Sequence, residues 1–170
     1  MWRKVALTIV ALMAVTLSTA QTYDGYNIYQ NGRFGFYMRY PSYLEIGSLS
    51  NNGDGATFYS KDKSIMLKAT GIFNLLEYNI HDLMSSNAYS LLSDGCSITY
   101  SHIDNNSFIL SGYTRSGKIY YLKETVCTMY SPAYEEYVDI IASAYLEHSP
   151  KDKAKGDDII KQFKRFPFKP

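Results

Sequence analysis

Residues 96–127 read CSITYSHIDNNSFILSGYTRSGKIYYLKETVC, and this stretch decides the fold. Aromatic and β-branched residues alternate with polar ones in three runs, about Cys96 to Ile103, Ser107 to Thr114 and Lys118 to Cys127. Between the runs stand two turn signals, at Asp104-Asn105-Asn106 and Arg115-Ser116-Gly117. Connections this short join antiparallel neighbours. The spacing predicts an up-and-down meander of three strands.

Working toward the N-terminus, Asn79 to Ser93 changes period. Ile80, Leu83, Met84, Ala88, Leu91 and Leu92 fall at steps of three and four, the stripe of an amphipathic helix. Asn79 is its N-cap and Asp94-Gly95 its stop. Ala56 to Ser60 and Ser64 to Ile72 read as a hairpin turning at Lys61-Asp62-Lys63. Ser50 to Gly55 is a dense turn signal, and Leu44 to Ile46 a short extended piece. Arg33 to Tyr40 alternates Phe34, Phe36 and Met38 with Gly35, Tyr37 and Arg39, a strand closed by Pro41. Residues 21–33 are polar and tyrosine-rich and read as a lead-in loop.

Working toward the C-terminus, Ser131 to Pro150 reads as a second helix. Ser131 is its N-cap and Pro132 its first residue. Tyr134, Tyr137, Val138, Ile141, Ala142, Tyr145 and Leu146 form one apolar face. Two striped helices need a sheet to cover, so the fold class is α+β, an antiparallel β-sheet covered by helices.

The termini differ from this 21–150 domain. Arg3 and Lys4, an uncharged apolar run from Val5 to Leu17, and Ser18-Thr19-Ala20 make residues 1–20 a secretory signal peptide. The run is too short for a membrane span, which needs about 20 apolar residues. The expectation is an exported protein, periplasmic or secreted, with no transmembrane anchor after cleavage. Residues 151–170 carry seven basic and three acidic side chains among Ile159, Ile160, Phe163, Phe166 and Phe168. Asp157 is a possible cap for a short helix there. This basic, aromatic tail either docks a partner or packs on its own domain.

Composition excludes some classes. Without Arg3 and Lys4 the chain has 15 basic and 16 acidic residues. A nucleic-acid binder needs a strong positive field, which this balance does not supply. Export raises the question of a disulfide between Cys96 and Cys127. Pairing about the two turns puts the cysteines at opposite ends of the meander, about 25–30 Å apart at about 3.3 Å per residue. Two unbridged, mostly buried thiols are expected, because a disulfide needs Cα atoms within about 7 Å.

Gly112 to Lys118 matches the spacing of a phosphate-binding loop. Ile119 stands where a magnesium-ligating Ser or Thr belongs, and a strand follows in place of a helix, so a hairpin turn is the reading. Asn51 to Gly55 lacks the glutamate of a calcium loop. His102 and Asp104 share a strand face, and nothing in the sequence brings His81 or His148 to them. The chain shows no cofactor signature and no catalytic motif.

Several segments together resemble a known family. Phe34-Gly35-Phe36-Tyr37-Met38-Arg39-Tyr40-Pro41 is similar to the aromatic strand that opens PsbP-like domains. Asn52-Gly53-Asp54-Gly55-Ala56-Thr57-Phe58 resembles their DG-x-x-F hairpin. The runs at Ser97–Tyr100, Phe108–Tyr113 and Lys118–Lys123 resemble their meander, and a helix over Tyr137 to Tyr145 fits their closing helix. The resemblance implies an α/β/α sandwich and a mostly non-catalytic role, with no site residue to carry over.

The expected function is an exported, non-catalytic binding or adaptor module for an unknown protein or glycan partner in the cell envelope. A glycan- or small-ligand-binding protein is the alternative, with a hydrolase using His102 and Asp104 behind it. Tyr23, Tyr26 and Tyr29 recur every three residues and are candidates for a ligand rim. Phe163, Phe166 and Phe168 are candidates for a docking tail.

Overall fold

The computed structural model describes residues 24–167. The signal-peptide reading of residues 1–20, and the candidates Tyr23 and Phe168, lie outside them. In chain order the elements are β1 (Tyr26–Gln30), β2 (Tyr37–Pro41), β3 (Leu44–Leu49), β4 (Gly55–Ser60), β5 (Ile65–Phe73), α1 (Ile80–Ser93), β6 (Ser97–Ile103), β7 (Ser107–Tyr113), β8 (Ile119–Ser131), β9 (Glu136–His148) and α2 (Lys153–Phe163). A 3₁₀ turn at Pro150–Asp152 precedes α2. Seven strands form one antiparallel sheet in the order β3-β4-β5-β9-β8-β7-β6, and β1 and β2 pair separately. The fold is α+β, with the two-stranded ribbon and both helices packed on the large sheet.

The meander forms in the expected register between β7 and β8, while a bulge between Ile98 and Tyr100 shifts the rest of β6 by one residue against β7. Ser97 lies opposite Tyr113, and Tyr113 opposite Ile119. Gly117, at φ 79°, closes the turn that the phosphate-loop spacing mimics. α1 begins where its cap predicts. The Asn79 side chain accepts from the N–H groups of His81 and Asp82, both at 3.0 Å.

Several expectations are corrected. Residues 136–148 form not a helix but β9, the central strand. A strand covered on both faces carries apolar residues on both, so its alternation is lost in a near-continuous run. Val138, Ile140, Ala142, Ala144 and Leu146 face one core, and Ile141 and Tyr145 face the other. Pro132 sits in the β8–β9 turn, where Glu135 takes φ 56°. The resemblance's closing helix over Tyr137 to Tyr145 fails with it. His148 ends a strand and not a helix.

The lead-in loop is also corrected, since it holds β1. The strand expected over residues 33–40 starts only at Tyr37, because Gly35 at φ 74° bends the chain against the Tyr130 carbonyl. Phe34 and Phe36 are in the turn yet fully buried.

The segment after Pro150 packs on its own domain. Helix α2 starts at Lys153 and not at Asp157, and it buries Ile159 and Phe163. Phe163 and Phe166 are only 1% and 2% exposed. They are core side chains and offer no docking surface. Gly156 lets the helix cross β9 closely: a Cβ there would overlap the His148 ring, which is itself buried.

Two cores result, one on each face of the sheet. Phe34, Phe36, Met38, Phe58, Leu67, Ile140, Ile159 and Phe163 fill the first, beneath the β1–β2 ribbon and α2. Ile80, Leu83, Phe108, Leu110, Tyr120 and Leu122 fill the second, beneath α1. Cys96 packs against the second core and Cys127 against the first. No disulfide joins them, and both are half-buried rather than mostly buried.

Candidate functional site

The covers are offset, and this creates the site. The ribbon and α2 pack over β3, β4, β5 and β9 on one face, while α1 packs over β6 and β7 on the other. Among the described residues, the ribbon-and-α2 face of β6, β7 and the first residues of β8 is therefore left open, while Cys127 and Met129 farther along β8 join the first core. Directly opposed residues in antiparallel strands share a face, and that face recurs every second residue. The register then aligns Tyr100, Ser111 and Tyr121 in one row across the three strands. His102, Ile109 and Lys123 form the next row, and Tyr113 and Ile119 flank the first. Tyr100 is 52% exposed and Tyr113 48%, while Ile109 and Tyr121 are half-buried.

Helix α2 walls one side of this platform. The Phe163 ring stands edge-on to Tyr121 at 5.4 Å, and Lys123 Nζ donates to the Phe163 carbonyl at 2.8 Å. Burial pushes the Tyr121 hydroxyl up to about 12, with Tyr100 adding to the shift. It also lowers the Lys123 ammonium, against an opposing pull from Asp104. His102 Nε2 lies 3.2 Å from Asp104 Oδ1, the pair expected from their spacing, and both side chains are well exposed. The platform thus offers aromatic rings, hydroxyls and one polar corner of Lys123, His102 and Asp104. Such rings suit stacking against sugar or peptide groups.

The tyrosines expected at a rim are elsewhere. Tyr26 donates its hydroxyl to Asp158 and lies under the Arg39 guanidinium at 5.2 Å, tying β1 to α2. Burial, then the Asp158 hydrogen bond, raises it to about 12. Tyr29 packs edge-on to Phe36 and Phe58 at 6.3 and 5.6 Å and accepts from Asn31 Nδ2 at 3.1 Å. These are packing roles. The strand residues Tyr100, Tyr113 and Tyr121 were the signal available in the sequence. They become a platform only once the half of the sheet that lacks a cover is known.

Two clefts lie at the ends of the α1 side. One of about 600 Å³ is lined by His81, Asp104, Asn105 and Asn106, so His81 approaches the Asp104 turn after all. Another of about 660 Å³ is lined by Cys96, Arg115, Tyr145 and Glu147. In it, Glu147 accepts from Lys118 Nζ at 2.7 Å and from the Tyr145 hydroxyl at 3.1 Å. The carboxylate and the burial raise the Tyr145 hydroxyl, burial being the larger cause. Glu147 is thereby committed to structure, and neither cleft pairs a nucleophile with a base among the hydrogen bonds of its lining. Among the described residues no group of three or more His, Cys, Asp or Glu side chains is placed to hold a metal ion, and no helix is long and apolar enough to cross a membrane. No protein-family model matches this chain, and a search of curated proteins finds no match.

Proposed function

We propose that the chain is an exported, non-catalytic binding or adaptor module of PsbP-like α/β/α build, which holds its ligand on the tyrosine platform of β6, β7 and β8. The observation that carries this is the open half-sheet itself. A sheet face left to water ordinarily shows charged and small polar residues. This one sets Tyr100, Tyr113, Tyr121 and Ile109 among Ser111, His102 and Lys123, beside a helix wall. Exposed aromatic patches on a rigid support mark contact surfaces. The Arg3-Lys4 and Val5–Leu17 pattern supports export.

A glycan is the second reading, and the same rings favour it, because a sugar ring stacks on tyrosine while the Tyr100 hydroxyl bonds its edge. Pull-down from cell-envelope extracts and a glycan array, each with the wild type and a Tyr100→Ala/Tyr113→Ala double variant, test both. One consistent partner or glycan class, lost in the double variant, is expected. An interaction profile identical for the two proteins overturns the assignment of this face.

A further inference from the structure

We propose that the end of the molecule formed by residues 74–78 and the β8–β9 turn is a docking surface for a second protein, one presenting an apolar pocket rimmed by lysine and arginine. Leu75, Leu76 and Tyr137 are 81%, 72% and 75% exposed. They emerge at one place. The loop leaves β5 where the Asn74 N–H donates to the Asp139 carbonyl at 2.9 Å, two residues along β9 from Tyr137. The Tyr137 ring stands edge-on to Tyr130 at 5.5 Å. This surface is separate from the tyrosine platform and does not rest on that reading.

The loop is held in shape. The Asn74 side chain accepts from the Tyr78 N–H at 2.9 Å and donates to the Tyr78 carbonyl at 3.1 Å. Glu77 donates its N–H to the Asn74 carbonyl at 3.1 Å and takes φ 52°, a left-handed backbone that glutamate seldom adopts. Two adjacent leucines displayed to water by so fixed a loop contribute nothing to their own core. Preorganised apolar side chains of this kind cut the ordering cost of association.

Charge selects the partner. The turns at this end, residues 31–36, 50–54, 74–79 and 131–136, carry Asp54, Glu77, Glu135 and Glu136 but a single cation, Arg33. Arg33 is paired with Asp54, and its guanidinium lies over Phe34 and Phe73. With Asp54 neutralised by Arg33, Glu77, Glu135 and Glu136 leave the turns at this end with a net negative charge. Anionic lipid headgroups are repelled by such an end. A two-fold dimer through it would set glutamate against glutamate. A basic rim on another protein complements it.

The test places the photo-cross-linking residue benzoylphenylalanine at position 76 of the full chain, in the cells the protein comes from. Mass spectrometry then identifies the cross-linked peptide. The expected product is one protein, cross-linked at an apolar site flanked by Lys or Arg. Its yield should fall about tenfold in Glu135→Lys/Glu136→Lys, as expected of a charge-steered contact, and stay unchanged in Tyr100→Ala/Tyr113→Ala. The same label at exposed Lys68 is the background, and melting temperatures confirm that each variant is folded. Cross-links to a second copy overturn the proposal, as do cross-links to lipid, a yield indifferent to charge reversal, or a yield no higher than from position 68. Flotation with phosphatidylglycerol vesicles would overturn it as well.

Discussion

The two halves of the large sheet are built from the same kind of strand yet treat their uncovered faces differently. In β3, β4 and β5 the open face shows Glu45, Thr57, Tyr59, Met66, Lys68, Thr70 and Ile72, a mixed surface with one isoleucine 52% exposed. In β6, β7 and β8 the open face shows three tyrosines and two isoleucines. The first half is sealed by the aromatic ribbon and α2, the second by α1 alone. The first open face carries two charged and two threonine side chains among its apolar ones and only one tyrosine. The second retains apolar area that its own fold leaves unused, and this difference separates a candidate binding surface from an ordinary exterior.

Removing the seals should show how strongly each half depends on its cover. Phe163→Ala opens the larger core and should cost about 3–5 kcal/mol, the range for deleting a buried aromatic ring. Leu83→Ala, at the edge of the core under α1, should cost about 2–3 kcal/mol. Urea unfolding measures both. A smaller loss for Phe163 than for Leu83 would reverse the ranking of the two covers.

Alkali should loosen both halves together. Tyr26 in the first and Tyr120 and Tyr121 in the second are each raised to about 12, mainly by burial. A raised folded-state value means that the protonated hydroxyl contributes stability below the ordinary value of 10. That contribution is lost as pH rises from 10 through about 12. Denaturation midpoints falling across this window check it, and a flat profile would break the link to burial.

Glu124 should act in the same sense, but in the acid range. It lies half-buried on the α1 side of the second half and accepts from Asn87 Nδ2 at 3.1 Å, and burial raises its carboxyl. Ionisation therefore costs folded-state stability at neutral pH. Glu124→Gln should raise the stability there by less than about 1 kcal/mol, read from urea unfolding, with the gain vanishing as pH falls below 4.5. The smallest effect belongs to the platform. Tyr100→Ala and Tyr113→Ala should each change stability by no more than about 0.5 kcal/mol, as exposed positions do. A large loss from either would mean that the ring serves the fold and not a ligand.

Local signals made most of the elements legible. The Asn79 cap, the glycine turns and the alternation in β4 to β8 each depend on residues a few positions apart, and those readings held. β9 failed because its pattern depends on what lies across both faces, and a double-sided burial cannot be separated from a helical stripe by Tyr134, Tyr137, Val138 and Ile141 alone. β1 failed because Tyr26 and Tyr29 are ordered by Asp158, Phe36 and Phe58, which lie far along the chain or in a turn. The platform was legible as residues but not as a site. Tyr100, Tyr113 and Tyr121 were on the expected strands, while the absence of a cover over them follows from where α2 lands.

The strand that joins everything is the last to emerge from the ribosome. β3 to β5 and β6 to β8 are each local in sequence, and only β9 connects them, pairing with β8 on one edge and with β5 on the other. Until residue 148 has been made and delivered, the chain carries two separate three-stranded pieces with unpaired edges. The segment that will unite them, VDIIASAYL, is apolar on both faces and well suited to aggregation. The seven-stranded sheet therefore closes only when β9 is in place, and its two halves share no other strand pairing.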